Sequence, residues 1–273
     1  MNLVLMTEGT GQGVHGRKTN VCRLYDLLVE GKNQRINLEA GPGTRPFRHL
    51  GGAFFGADAM SIVNHHQNWF LNHAPRTLRR PRGEDASGTV GDAEKLKIFL
   101  FGFSRGALIM RVFAEWLCQR GFPVEYMGLW DTVDSTVGIR GEDYVTLPTN
   151  VKFARHAVAR DEQRRFFGYV PLGPAPATRD ASGTVEELVF PGSHSDVGGL
   201  YDDNHAIADI TLDWILQPAL ERGLKALRRS PSPSAFTYKI HDSLREPTNG
   251  WGMLDPVRRE LDGVRRHALC DII

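Results

Sequence analysis

A chain of 273 residues with 33 Lys and Arg against 32 Asp and Glu has a formal net charge of only +1, so no overall field draws it to nucleic acid or an acidic membrane. Its length suits one large α/β domain, read over residues 1–273, and its 41% hydrophobic content is that of a globular protein rather than a disordered or fibrous one. Three scattered cysteines, Cys22, Cys118 and Cys270, with no Cys-x-x-Cys pair, argue against a disulfide framework and a structural zinc site. Cys118 falls in an apolar helical pattern and is expected in the core.

Residues 2–6 form a short apolar run, expected as a buried strand. The run lacks a basic leader and is too short for a signal peptide, and no stretch approaches the ~20 apolar residues of a membrane span. Synthesis in the cytoplasm is the expectation, with any export left to a machine that needs no cleaved signal. A glycine-rich turn follows, Thr7-Glu8-Gly9-Thr10-Gly11-Gln12-Gly13, and Thr19-Asn20 offers an N-cap to a helix carrying Val21, Leu24, Leu27 and Leu28. Strand, glycine-rich loop and helix in that order open a parallel sheet.

A second strand is expected at Arg35–Glu39, leading into the loop Ala40-Gly41-Pro42-Gly43-Thr44, and a helix from about Ala53 to Asn72. Arg76–Asp92, rich in Arg, Gly, Pro and Ser, reads as a surface loop. Its Arg79, Arg80 and Arg82 are expected as solvated charge, not a nucleic-acid site. Lys97-Ile98-Phe99-Leu100-Phe101 is a third strand. Directly behind it come Gly102-Phe103-Ser104-Arg105-Gly106 and a helix whose Leu108, Val112 and Trp116 recur every four residues, as do Ile109, Phe113 and Leu117.

Tyr126–Trp130 is the next strand, closed by Asp131-Thr132-Val133. A helix around Ala154–Arg165 and a strand at Glu186–Phe190 follow, the latter ending in Pro191-Gly192-Ser193-His194-Ser195-Asp196-Val197-Gly198-Gly199. A helix from Ile207 to Glu221, a loop at Ser230–Ser234 and a last strand at Phe236–Ile240 before His241 complete the chain. The alternation predicts an α/β fold, a mostly parallel central sheet with helices on both faces.

Ser104 sits between a strand and a helix, where a strained turn presents a nucleophile and the free N–H groups of the helix start favour developing negative charge. Gly102 and Gly106 leave room for that turn. A serine hydroxyl needs a base, and the base needs an acid to hold its tautomer. The candidate acids after Ser104 are Asp131, Asp134 and Asp196, and the candidate bases are His194 and His241. Three pairs fit: Asp131 with His194, Asp131 with His241, and Asp196 with His241. Asp131 with His194 is preferred, because both follow apolar strands at the sheet edge where functional groups gather. Asp196 is otherwise a loop-shaping turn residue, and His241 a strand-end histidine paired with Asp242.

An oxyanion hole takes two backbone donors, Arg105 N–H and a group from the Gly9–Thr10 loop. That loop also looks like a phosphate cradle, yet no Gly-Lys-Ser/Thr follows and Gly9-x-Gly11-x-Gly13 has the wrong spacing for a dinucleotide fingerprint.

Taken together, several segments resemble the α/β-hydrolase family that includes the catalytic domain of type VI secretion phospholipase effectors. They are Glu8-Gly9-Thr10, Thr19-Asn20-Val21 with Leu24-Tyr25, Gly41-Pro42-Gly43-Thr44, Phe101-Gly102-Phe103-Ser104-Arg105-Gly106-Ala107, and Trp130-Asp131-Thr132-Val133. His156-Ala157 with Asp161-Glu162-x-x-Arg165, Phe190-Pro191-Gly192-Ser193-His194-Ser195-Asp196-Val197-Gly198-Gly199 and His241-Asp242-Ser243 continue the series in the family's order. The first loop departs from the family's Asp-Gly-Thr by one methylene, at Glu8. The resemblance implies an α/β-hydrolase-like fold, a Ser104-Asp131-His194 triad and cleavage of an acyl ester through an acyl-enzyme, without metal or organic cofactor. The partners it implies are a small-molecule or lipid ester, with transient contact to a membrane surface, and no nucleic acid. An idle hydrolase fold used for binding or regulation is the alternative.

Overall fold

The computed structural model describes residues 1–13, 19–44, 52–75, 96–134, 146–173, 184–227, 237–245, 259, 261 and 264–271, with the backbone alone at 52–57 and 269. The expected loops at Arg76–Asp92, with Arg79, Arg80 and Arg82, and at Ser230–Ser234 lie outside these residues.

Seven parallel strands build one sheet: β1 (Asn2–Thr7), β2 (Gln34–Glu39), β3 (Lys97–Phe103), β4 (Tyr126–Trp130), β5 (Ala154–Ala159), β6 (Val185–Phe190) and β7 (Arg265–Arg266). Their order is β2-β1-β3-β4-β5-β6-β7. The helices are α1 (Asn20–Leu27), α2 (Gly52–His73), α3 (Arg105–Gln119), α4 (His194–Gly198) and α5 (Ala206–Glu221).

Strand alternation sorts the core into two layers. Leu3, Leu5, Ile98 and Leu100 face α2 and α3, among Ile62, Phe70, Ile109 and Phe113. Val4, Met6, Phe99, Phe101 and Phe103 point the other way, toward α1 and α5, among Val21, Leu24, Leu212 and Ile215. Because β1 and β3 are buried on both faces, they read as continuous apolar runs rather than alternating ones. Asn20 ties α1 to the second layer: its Nδ2 donates to the carbonyls of Val197 and Ala208 and to Thr211 Oγ1, at 2.9–3.1 Å.

The chain winds outward from β1 to β2, then crosses back to β3 and proceeds the other way. That reversal opens a crevice above the carboxyl ends of β1 and β3, where open α/β sheets bind their ligands.

Three expectations are corrected. Ala154–Ala159 is a central strand, not the start of a helix to Arg165. Its polar residues mimic an amphipathic helix in sequence, but Arg155 and His156 are spent on Glu186 and Glu187 of the neighbouring β6. Residues 237–240 are not a strand; side chains hold them, Asn204 Nδ2 donating to Thr237 O and Lys239 pairing with Asp203. The last strand is Arg265–Arg266. Cys118 is half-buried, its Sγ 3.6 Å from Thr149 Oγ1, and Cys22 is the fully buried thiol.

Among the described residues, no helix is long and apolar enough to cross a membrane.

Candidate active site

Ser104 links β3 directly to α3 with φ 58° and ψ −127°. A non-glycine residue there carries strain of about 1–3 kcal/mol, which the surroundings must enforce. They do so through its backbone: Ser104 N–H donates to Trp130 O at 3.0 Å, and Ser104 O accepts from Ala107 and Val133 at 3.1 and 3.4 Å. The glycines flanking the elbow are there for space. A Cβ on Gly106 would lie 2.3 Å from Glu8 O, and one on Gly102 would lie 2.6 Å from Ala107 Cα.

Asp131 directly follows β4 beside that serine, also with positive φ, 38°. It is fully buried, and its carboxylate is saturated. Oδ1 accepts from Ala159 N–H at 2.8 Å and Arg259 Nη1 at 2.6 Å; Oδ2 accepts from Arg259 Nη2 at 2.9 Å and faces His194 Nδ1 at 2.6 Å. Burial alone would push the Asp131 carboxyl up, but the Arg259 guanidinium and the His194 hydrogen bond outweigh it and hold it well below the usual carboxylate range.

With Nδ1–H donated to Asp131, His194 keeps the Nε2 lone pair for a proton. Its ring is stacked on Phe103, centroids 4.4 Å apart, and meets the edge of Phe167 at 5.0 Å. Burial between these rings pushes the imidazole below its ordinary pKa, partly offset by Asp131. The His194 backbone N–H donates to Glu162 Oε2 at 3.2 Å. Glu162 is itself held by Arg164, 2.8 Å away, and by Ser243 Oγ at 3.1 Å. Among the described residues, the hydrogen bonds of Ser104 run through its backbone.

The second acid–base pair also forms: His241 Nδ1 lies 2.6 Å from Asp196 Oδ1. Its other nitrogen, however, faces Asp203 Oδ1 at 3.0 Å. A ring whose second nitrogen is turned to another carboxylate does not present that nitrogen to a serine. Asp196 meanwhile accepts from Ser193 N–H and Oγ, at 2.8 and 3.0 Å, and so shapes the loop that carries His194. Asp242, the expected partner of His241, pairs with Arg245 instead. Asp134, the third candidate acid, is half-buried and its charge acts on Arg105.

On the side expected to hold the oxyanion, the Glu8–Gly9 backbone lies against both α3 and Ser104. A Cβ on Gly9 would come 3.4 Å from Ser104 Cβ. Gly9 N–H is turned to Glu8 Oε2 at 3.3 Å, and Gly11 and Gln12 N–H donate to Pro42 O and Gly9 O. That leaves Thr10, whose Oγ1 is buried and has no partner among the described residues. Arg105, right behind Ser104, opens α3. The loop Gly41–Thr44 braces this wall: a Cβ on Gly41 would sit 1.8 Å from Gly9 O, so only glycine fits. Glu8, the departure in the first loop, is buried and accepts from Thr19 Oγ1 at 2.7 Å; burial raises its pKa to about 7, opposed by the Thr19 hydrogen bond.

Reading the sequence alone missed three supports. Arg259 lies 128 positions from Asp131, in a stretch with no motif to mark it. His156 and Glu162 stand inside recognised segments, but their tasks were not visible. Thr132 N–H donates to His156 Nε2 at 3.0 Å, and His156 Nδ1 meets Glu187 Oε2 at 2.8 Å, which props the turn carrying Asp131. Among the described residues no cluster of His, Cys, Asp and Glu is arranged to hold a metal ion.

A serine at positive φ on a strand–helix elbow of a seven-stranded parallel sheet is the arrangement of an α/β-hydrolase-like fold. The family described as the catalytic domain of Tle1-like phospholipase effectors of type VI secretion matches residues 1–123 and 117–218, and the chain belongs to it. No curated protein matches. Among solved structures, an uncharacterized protein from Pseudomonas aeruginosa is 18% identical with a TM-score of 0.53, over 83% of this chain and 46% of that one. The Tle1 effector bound to the VgrG spike of the type VI secretion system is 18% identical with a TM-score of 0.44, over 74% and 51%. The RedJ thioesterase of the prodiginine pathway in Streptomyces coelicolor is 15% identical with a TM-score of 0.36, over 77% and 88%. The chain thus spans about half the length of the first two.

Proposed function

We propose that this protein hydrolyses an acyl ester through an acyl-enzyme on Ser104, with His194 as general base and Asp131 as the acid that orients it. The observation that carries the reading is the 2.6 Å contact from His194 Nδ1 to Asp131 Oδ2, beside a serine at φ 58°. Ser104 Oγ attacks the ester carbonyl while its proton passes to His194 Nε2. The oxyanion forms toward Arg105 N–H and Thr10. Collapse expels the alcohol, which takes the proton from His194. Water, deprotonated by the same nitrogen, then attacks the acyl-enzyme and releases the acid, and the proton returns to Ser104.

Membership of a phospholipase effector family supports a phospholipid as the ester, met at a membrane surface. It also supports delivery by a type VI apparatus without a cleaved signal. The test is labelling with a fluorophosphonate probe, wild type against Ser104→Ala, followed by fatty-acid release from phosphatidylethanolamine–phosphatidylglycerol vesicles and from p-nitrophenyl esters of rising chain length. Labelling lost in the mutant, with hydrolysis favouring long chains, is the expected result. Equal labelling of both proteins would overturn the assignment of the nucleophile. An unlabelled, folded wild type would favour a binding role instead.

A further inference from the structure

We propose that Arg259 is a positioning residue of this hydrolase, clamping both oxygens of Asp131 and keeping His194 in its proton-accepting form. The proposal rests on the Ser104-Asp131-His194 reading. Arg259 lies beyond residue 218, where the family match ends, so a residue outside that match completes the site.

The clamp is a planar fork. Nη1 reaches Asp131 Oδ1 at 2.6 Å and Nη2 reaches Oδ2 at 2.9 Å. The same two nitrogens donate to Ala159 O at 3.0 Å and Phe167 O at 2.7 Å, and the side chain is only 6% exposed. A guanidinium fixed at four acceptors cannot swing away. It stops the carboxylate from rotating, so Oδ2 stays aimed at His194 Nδ1.

The charge has a second effect. Asp131 is faced by Arg259 and His194, and the Tyr169 phenol feels its charge. His194 is faced by Asp131, Glu162 and Arg164, with Phe103 and Phe167 against its ring. The imidazole therefore sits between two ion pairs, Arg259–Asp131 and Arg164–Glu162, each neutral as a unit. Deleting the Arg259 charge leaves one carboxylate uncompensated beside the ring. The imidazolium gains stability, and the base stays protonated to higher pH.

The experiment measures the second-order rate of fluorophosphonate labelling of the full chain against pH for wild type, Arg259→Gln, Arg259→Lys and His194→Ala. Arg259→Gln is expected to move the midpoint of the acid limb upward by about one to two pH units, the size of shift a neighbouring full charge causes. Arg259→Lys keeps the charge but breaks the fork, so the midpoint should stay while the plateau rate falls. A purely structural arginine would lower the plateau and leave both midpoints in place, and that result overturns the proposal. So does a midpoint that rises in Arg259→Lys, a readout that stands even if Arg259→Gln does not fold. Labelling in His194→Ala with the wild-type profile would instead bring down the triad reading itself, separating the two failures.

Discussion

His241 lies with Nδ1 2.6 Å from Asp196 Oδ1, the same separation that joins His194 to Asp131. The far nitrogens distinguish the two pairs, since that of His241 is taken by Asp203. The pairs should therefore respond differently to truncation. His194→Ala is expected to cut hydrolysis and labelling by about ten-thousand-fold, the size of loss seen when a triad member is removed. His241→Ala should keep labelling within about tenfold while lowering stability by about 1–3 kcal/mol, because buried Asp196 loses a partner. Labelling rates and urea unfolding of both variants check this, and a catalytic collapse in His241→Ala would exchange the roles of the pairs.

The burial that pushes His194 below its ordinary pKa predicts where activity fades in acid. In the proposed mechanism the base works only when neutral, so the acid limb of the kcat/KM profile is expected to follow its titration in the free enzyme. That limb should have its midpoint below 6.5, the ordinary histidine value. A midpoint above 6.5 would mean that Asp131 outweighs desolvation at this ring.

The elbow was legible in the sequence because its signal is local: an apolar run, Gly102-Phe103-Ser104-Arg105-Gly106 and a helical apolar face lie within 25 residues of one another. The meeting of Asp131 with His194 was legible because Asp131 directly follows β4 and His194 comes four residues after the end of β6, in a glycine-containing turn. What failed was non-local. Arg155 and His156 look like the polar side of a helix until Glu186 and Glu187 arrive from the next strand to bind them. Asp203 decides against His241 from 38 positions away, and Arg259 reaches Asp131 across 128. No periodicity records such contacts, since only the folded sheet creates them.

Gly41 tests the oxyanion wall without touching the triad. A methyl group there would lie 1.8 Å from Gly9 O and 2.7 Å from Glu8 O, both backbone atoms that cannot swing aside. Gly41→Ala must displace the Glu8–Thr10 loop from Ser104. Losing one oxyanion donor typically lowers kcat by about 10²–10³-fold. The expected result is a kcat loss of that order with the acid-limb midpoint unchanged, measured on a soluble ester. Wild-type kcat in this variant would remove the loop from the oxyanion hole.

Glu8 makes stability fall with rising pH, opposite to the usual paired carboxylate. Its folded pKa, about 7, stands above the ordinary 4.5, so the native state holds a proton that the unfolded chain releases first. The resulting stabilisation is complete below pH 4.5 and is lost as pH rises through 7. The interval corresponds to about 3 kcal/mol, with Glu8 buried against Thr19 throughout. Glu8→Gln keeps an oxygen to accept from Thr19 Oγ1 and has no proton to lose. Relative to the wild type, the variant should therefore gain about 2–3 kcal/mol between pH 5 and pH 8 in urea unfolding. Parallel stability curves for the two proteins across that range would show that Glu8 ionises without cost, and would place water or a counter-charge beside its carboxyl.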